Sequence, residues 1–434
     1  MTAPAEQHVT TEAQSLTLAD IDLNDPVLFE SGLSHQAFKI LRKEDPISWT
    51  PPTDEVKGHW NLVKYEDVLF VSRHPEIFSS EKGITEYEPI SEEDALLASQ
   101  GNGKMIITMD PPRHVKMRRL VNKGFTPRAV AQWEPKIRET TNILLDRIAK
   151  KGESDFVLDV ACNIPLAVIC QMLGVPEKDW ELMFALTNKV LGSGDPEYQT
   201  DVPEDQRGTP EAARITGNMG TMQMFGYYAQ ALMQRKTART EDIISLLVDS
   251  EVDGEKLTDE DILWFCFLLI LAGNETTRNA MSGGLLALCE HPDQKKKLLD
   301  DMSLIDSAVE EILRWVSPVT HMARVAKEDT AIRHQPIKAG ERVVMWYPSV
   351  NRDEDVFPNA DVFDITRTPN DHLAFGIGEH FCLGAGFARL ELKVLFQELF
   401  RRFPDIELAG PAQRLRSTFI GGIKHLPVKF TPEK

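Results

Sequence analysis

A single cysteine, Cys382, stands between glycines in the run Phe375-Gly-Ile-Gly-Glu-His-Phe-Cys-Leu-Gly384, immediately before a long amphipathic segment. No other feature constrains this chain as strongly. A thiol binds metal as its thiolate, and the start of a helix, with its unpaired N–H groups and positive dipole end, favours that form. Downstream, Leu383, Phe387, Leu390, Val394 and Leu395 recur at helical spacing between Arg389, Glu391 and Lys393, as far as Arg401 and Arg402. Gly376, Gly378 and Gly384 permit a tight turn and a close approach of backbone to a flat group. Taken alone, the same cysteine also fits a buried structural thiol beside a turn.

Phe375, Gly378, Cys382 and Gly384 have the spacing Phe-x-x-Gly-x-x-x-Cys-x-Gly, with His380 two residues before the cysteine. In this the chain resembles the cytochrome P450 family in its bacterial form, and further elements of that family follow in order over nearly the whole length. The resemblance implies a mainly α fold with a small β region. A single haem domain would span residues 17–434 behind a flexible 1–16. Cys382 would be the axial ligand of the haem iron, with Phe375, Gly376 and Gly384 forming the loop beneath the cofactor. No Cys-x-x-Cys-His sequence is present, so the haem should be non-covalent haem b.

A second element is Ala272-Gly-Asn-Glu-Thr-Thr277, inside an apolar helical segment running from about Ile262 to Leu288. A buried carboxylate costs several kcal/mol unless paired, roughly speaking, so Glu275 must face water or find a partner. Thr276 can bond back to the carbonyl one turn earlier, bending the helix and opening a groove that Gly273 keeps clear. On the residues alone this fits a helix kink with a capping threonine. In the resembled family such a groove holds dioxygen over the iron beside Ala272 and Gly273, and the acid–alcohol pair Glu275 and Thr276 delivers protons.

Glu311 and Arg314 share a helix face at i, i+3, as do several pairs that read as solvated surface contacts. The resemblance adds Arg367 as third member of a structural cluster that locks the segment leading to the cysteine loop. It also assigns His114, Arg118, Arg324 and His380 to the haem propionates, two carboxylates that favour Arg and His donors.

The chain has 434 residues, of which 42% are hydrophobic, and no linker or repeat divides it. The cysteine loop comes from the last third and the acid–alcohol pair from the middle, so one cofactor needs both, and a single domain is expected. Five cysteines without paired spacing suggest a reducing compartment. The polar N-terminus and the short apolar 262–271 stretch predict no signal peptide and no membrane span, hence a cytoplasmic monomer. A net charge of −19 disfavours nucleic acid as a partner. Against it, Arg113, Lys116, Arg118, Arg119 and Lys123, with Arg389 and Lys393, form either a solvated helix face or a docking patch for an acidic ferredoxin. With no flavin or iron–sulfur module by Lys434, electrons from NAD(P)H would come through a separate ferredoxin and ferredoxin reductase.

By family analogy the substrate would meet Met105, Ile106, Val190, Leu191, Leu269, Val319, Met322, Phe419 and Ile420, apolar residues that otherwise read as core. The lining suggests a hydrophobic substrate. Ala272–Ala280, Leu191–Pro196 and the tail Ser417–Pro427 resemble enzymes that hydroxylate terminal methyl groups of methyl-branched lipids and sterol side chains. Related tails and Asn351-Arg-Asp-Glu also resemble monoterpene and alkyl-aromatic hydroxylases. A peroxygenase fits less well, because Glu275 and Thr276 are both present. His321 is left open between a substrate hydroxyl and solvent. Strands are expected near 47–49, 60–63, 322–333 and 342–345. Helices are expected at 114–122, 128–150, 159–173, 177–192, 211–235, 240–250, 259–289, 291–301 and 303–316, with a long terminal helix.

Overall fold

A computed structural model describes residues 16–54, 56–88 and 101–434. The expected flexible segment 1–16 therefore lies almost wholly outside the described residues. After a short helix at Pro26–Glu30 come α1 (Ser34–Glu44), the strands β1 (Ile47–Thr50) and β2 (His59–Leu62), α2 (Tyr65–Arg73) and β3 (Phe78–Ser79). Helices α3 (Arg113–Val121), α4 (Glu134–Ile148), α5 (Asn163–Met172), α6 (Trp180–Leu191), α7 (Pro210–Thr237) and α8 (Ile243–Asp249) follow. They lead to α9 (Asp259–Glu290), α10 (Pro292–Asp300), α11 (Ile305–Val316), β4 (His321–Ala326), β5 (Arg342–Trp346) and α12 (Ala385–Arg402).

The long helix α9 starts where the sequence supplies a reciprocal cap: Thr258 accepts from the Asp261 N–H, and Asp261 accepts from the Thr258 N–H. It stops at His291, because Pro292 cannot continue the hydrogen-bond ladder and opens α10 instead. Between these ends its apolar residues face inward on nearly every side, so α9 runs through the main helical core. Gly283 and Gly284 let it lie close against α11. A Cβ on Gly284 would come within 2.7 Å of Ile312, and one on Gly283 within 2.8 Å of Val316.

The five-stranded sheet has the order β1-β2-β5-β4-β3. β5 runs parallel to β2, with Met345 opposite Leu62, and antiparallel to β4, with Trp346 opposite His321. Leu62, Val343 and Met345 join α2 in a second apolar cluster on one face. Trp346 and Val344 point to the other face, where Phe29 and Phe38 cover them. A smaller sheet joins Glu153–Asp155 to the tail strands at Glu407–Leu408 and Pro427–Lys429. The fold is mainly α with a small β region, as expected.

The single helix expected at 128–150 is two, Pro127–Ala131 and α4, because Pro135 lacks the N–H that would carry the ladder across Gln132 and Trp133. The helix expected from 159 begins as a π-turn at Val157–Ala161 before α5. Helices α1 and α2 were not expected. Neither has a side-chain N-cap, the signal by which a helix start is read.

Candidate active site

The cysteine loop hangs between β5 and α12. Gly376 and Gly378 both have positive φ (65° and 75°), and a Cβ on Gly378 would come within 2.5 Å of the Ser72 carbonyl at the end of α2. The Cys382 N–H donates to the Phe375 carbonyl at 2.9 Å, closing the loop on itself. The Arg389 guanidinium lies 4.6 Å over the Phe375 ring and fixes it from α12. Gly384, the N-cap of α12, needs no positive φ (−85°), and beyond its chain neighbours nothing lies within 4 Å of a Cβ placed there. Burial pushes the Cys382 thiol up. The N–H groups of Gly384 and Ala385 and the cations Arg118 and Arg389 oppose this without overcoming it. The helix-start effect expected from the sequence is thus present but weaker than desolvation, and the cation of a metal is what would make this thiol a thiolate.

On α9 the Thr276 hydroxyl donates to the Ala272 carbonyl at 2.8 Å. Ala272 is exposed and Leu268 and Thr276 half-exposed, a stripe at i, i+4 and i+8 on a helix otherwise buried. Gly273 requires a correction. It lies about 100° around the helix from Ala272, and its missing Cβ faces Ile169 of α5 at 3.0 Å. It allows helix packing rather than keeping a groove clear. Glu275 is fully buried and meets Arg278, which also donates to Asn188 of α6 at 2.9 Å. Burial raises the Glu275 pKa and Arg278 pulls it back. Its Oε1 has no hydrogen-bond partner. Beside it Asn274 donates to Thr187, so α9 and α6 are joined by a polar seam, and Arg278 and Asn188 are members that sequence reading missed. An i, i+3 Glu-Arg pair inside the apolar run was the available signal.

His114 and Arg118 of α3, Arg324 of β4 and His380 of the cysteine loop converge. The His114 and His380 rings lie 4.2 Å apart, and His380 Nε2 sits 3.2 Å from the Ser80 hydroxyl. Burial, reinforced by Arg118 and Arg324, lowers His114 to about 4; burial with Arg324, His114 and Arg118 lowers His380 to about 2. Arg324 is buried and, among the described residues, its guanidinium donates to the neighbouring Ala323 carbonyl, while His114 Nδ1 makes no hydrogen bond and has the Glu379 carboxylate at 3.8 Å. Asp110, which accepts from the Ser80 N–H, acts against this lowering of His114 without overcoming it. Donors gathered with few acceptors between them are what a group bearing two carboxylates would satisfy. The residues fit a haem: Cys382 would hold its iron and this cluster would take its carboxylates.

Glu311 and Arg314, both fully buried, pair at 2.7 Å, and Arg367 reaches Glu311 at 3.1 Å. Arg314 also donates to the carbonyls of Asn351, Ala360 and Val362, and Arg367 to those of Pro358 and Asn359. The cluster therefore ties α11 to the irregular chain that leads to Cys382.

The apolar candidates divide. Val319 and Ile420 form a β-bridge, and the Thr320 N–H donates to the Phe419 carbonyl, so Val319, Phe419 and Ile420 meet at one tip. Met105, Val190, Leu191, Met322, Val319 and Phe419 are half-buried, whereas Ile106, Leu269 and Ile420 are buried in the protein's own core. Leu268 rather than Leu269 lies on the open stripe of α9. His321 is fully buried against Glu86, so neither alternative left open for it applies. Within the basic patch, Arg113, Lys116, Arg389 and Lys393 are already paired with Asp261, Asp253, Glu310 and Asp306. Among the described residues no helix is long and apolar enough to cross a membrane.

The family model for cytochrome P450 matches residues 62–409. The methyl-branched lipid omega-hydroxylase of Mycobacterium tuberculosis is 40% identical over 99% of each chain. The steroid C26-monooxygenase of Rhodococcus jostii is 37% identical over 97% of this chain and 87% of its own. A Mycobacterium marinum cytochrome P450 in complex with pseudoionone superposes with a TM-score of 0.85 at 35% identity, covering 96% of this chain and all of that one. A Bacillus megaterium enzyme in complex with testosterone gives 0.82 at 32%, covering 94% and 99%. With its cysteine loop, its acid–alcohol helix and its carboxylate-seeking cation cluster, this chain belongs to the cytochrome P450 family and is a monooxygenase of that family.

Proposed function

We propose that the protein hydroxylates an unactivated C–H bond of a hydrophobic branched aliphatic, isoprenoid or steroid molecule, using dioxygen and two electrons delivered by a separate ferredoxin and ferredoxin reductase. The observation that carries the substrate class is the 40% identity, over nearly the full length of both chains, to a methyl-branched lipid omega-hydroxylase. The half-buried apolar residues Met105, Val190, Leu191, Val319, Met322 and Phe419 are compatible with such a molecule.

Haem b, when bound, supplies the activation of dioxygen and the transfer of one oxygen atom. Cys382 is the residue to hold its iron, donating electron density through the thiolate. His114, Arg118, Arg324 and His380 are the residues to take its carboxylates. Thr276, on the open face of α9, offers a hydroxyl whose hydrogen is parked on the Ala272 carbonyl and can be redirected by rotation about one bond. Glu275 leaves Oε1, the oxygen that Arg278 does not engage, free to take up and release a proton. In this reading Glu275 relays protons from its buried seam and Thr276 presents its hydroxyl on the open face.

The deciding experiment titrates the purified ferric protein with branched fatty acids, sterol ketones, linear terpenes and monoterpenes while following the haem spin state. A tight shift with long branched chains or sterols supports the reading. A shift confined to small terpenes or alkyl-aromatics moves it to the second reading, a monoterpene or alkyl-aromatic hydroxylase, which the likeness to the pseudoionone complex favours. Product formed from hydrogen peroxide alone, without dioxygen or reductant, would instead mark a peroxygenase.

A further inference from the structure

Away from the cysteine loop, a cavity of about 210 Å³ lies between the C-terminal half of α9, the end of α11, the N-terminus of α1 and the Gly421–Gly422 turn. One wall is Arg352, 5% exposed, whose guanidinium lies 4.2 Å over the Trp315 ring. Its Nη1 is buried without a hydrogen-bond partner. The nearby acids are engaged elsewhere: Asp361 by Lys39, and Glu311 by Arg314 and Arg367. Opposite stands Asn279 of α9, 1% exposed. Its Oδ1 accepts from the Ile423 N–H at 3.2 Å, which fixes the amide so that Nδ2 is the free end, and Nδ2 too has no partner. Arg414 sits in the lining and is exposed, and the one acid there, Glu290, is exposed to water.

A buried guanidinium without an acceptor is among the costlier groups a fold can hold. Stacked on Trp315, it leaves Nη1 without an acceptor, and a guanidinium can offer an anion a fork of parallel N–H donors. The surrounding field is positive. Arg352, Arg414 and Arg42 all stand near enough to His35 of the lining to disfavour its protonation. In a chain of net charge −19 this is a local reversal of sign.

We propose that this cavity is an oxyanion site, binding one small carboxylate or phosphate through the guanidinium of Arg352 and the amide of Asn279, with Arg414 at its mouth. The bound anion would join α9, one turn beyond Thr276, to the turn that carries Phe419 and Ile420. The proposal is independent of the substrate class, because the cavity is built from other residues.

The test uses the haem-loaded protein at fixed ionic strength, so that the propionate cluster is filled and general salt effects cancel. Inorganic phosphate and acetate are titrated by calorimetry, and the thermal midpoint is followed in parallel. One saturable site with a rising midpoint is expected. Asn279→Asp keeps the acceptor for Ile423 and places a fixed carboxylate in the cavity, so anion binding should be lost. Arg414→Gln, on the surface and without consequence for folding, should weaken binding by about threefold to tenfold. The absence of a saturable effect of either anion overturns the proposal. So does binding that is unchanged in Arg414→Gln and, where it folds, in Asn279→Asp, which would place the anion elsewhere on the protein. Phosphate binding without acetate binding identifies a tetrahedral ligand, and acetate binding identifies a carboxylate site, each supporting the assignment.

Discussion

His321 Nε2 lies 2.7 Å from Glu86 Oε2, and Glu86 Oε1 accepts from the Thr418 hydroxyl at 2.6 Å. Three distant segments thus meet on one carboxylate: the chain after β3, the first residue of β4 and the turn bearing Phe419, which itself packs edge-on to His321 at 5.3 Å. Burial alone would raise the Glu86 pKa. The His321 charge, its hydrogen bond and that of Thr418 overcome this and hold it at about 2. A carboxylate depressed in the fold contributes stability that is complete above its ordinary value of 4.5 and is lost as pH falls toward about 2. Acid unfolding should steepen in that window, and Glu86→Gln should flatten it while lowering stability at pH 7 by about 2–3 kcal/mol. Identical pH profiles for the two proteins in denaturant titrations would remove Glu86 from the account.

Glu311 and Arg314 are fully buried, so water cannot readily replace a contact broken between them. Glu311→Ala leaves two buried guanidinium groups without their acid, and a loss of about 3–5 kcal/mol is expected. Glu311→Leu with Arg314→Met removes both charges together and should cost less than the sum of the two single changes. Because the cluster anchors chain leading to Cys382, haem content should fall in parallel with the unfolding midpoint. Full haem occupancy in a strongly destabilised Glu311→Ala protein would separate the two roles.

Thr276→Ala should leave folding and haem binding intact, since the hydroxyl bonds only to the Ala272 carbonyl of its own helix. Reductant consumption should continue while product falls and peroxide appears. Glu275→Gln should slow turnover by about 10- to 100-fold, the scale of a positioned proton donor, without that peroxide. Coupling unchanged from wild type in Thr276→Ala would exclude the hydroxyl from proton delivery.

Arg119 and Lys123 are exposed on and just beyond α3 and, among the described residues, no ion pair engages them, unlike Arg113 and Lys116 on the same segment. An acidic ferredoxin should therefore feel Arg119→Glu and Lys123→Glu more than the corresponding changes at Arg113 or Lys116. At low salt the double variant should slow electron transfer by about tenfold, and the difference should close as ionic strength rises. Equal losses at all four positions would point to overall charge rather than to a local contact.

What the sequence made legible followed from short-range chemistry. The cysteine loop announced itself through glycines at fixed offsets, and Thr276 through a hydroxyl four residues after a carbonyl. The joining of Arg278 to Asn188, of His321 to Glu86 and of Asn279 to the Gly421–Gly422 turn depends on partners about 90 to 235 residues apart, for which a single chain offers no spacing to read. Gly273 was misread for a related reason: its neighbour is Ile169 on another helix. Helices α1 and α2 escaped because tertiary burial of Phe38, Leu41 and Val68, rather than a cap, holds them in place.

Glu391 sits on the buried face of α12 with Oε2 unpartnered, and burial alone pushes its pKa from 4.5 up to about 8. At neutral pH the fold must either keep a proton that the unfolded chain would release or bury a charge. The penalty is absent below pH 4.5, grows as pH rises and levels off above about 8. Glu391→Gln preserves shape and removes the titration, so it should stabilise the protein by up to about 3 kcal/mol at pH 7 and make no difference at pH 4. Chemical denaturation of both proteins between pH 4 and 9 measures this directly. A variant less stable than wild type across the whole range would mean that the carboxyl makes a favourable contact through its proton, and the penalty assigned to Glu391 would have to be withdrawn.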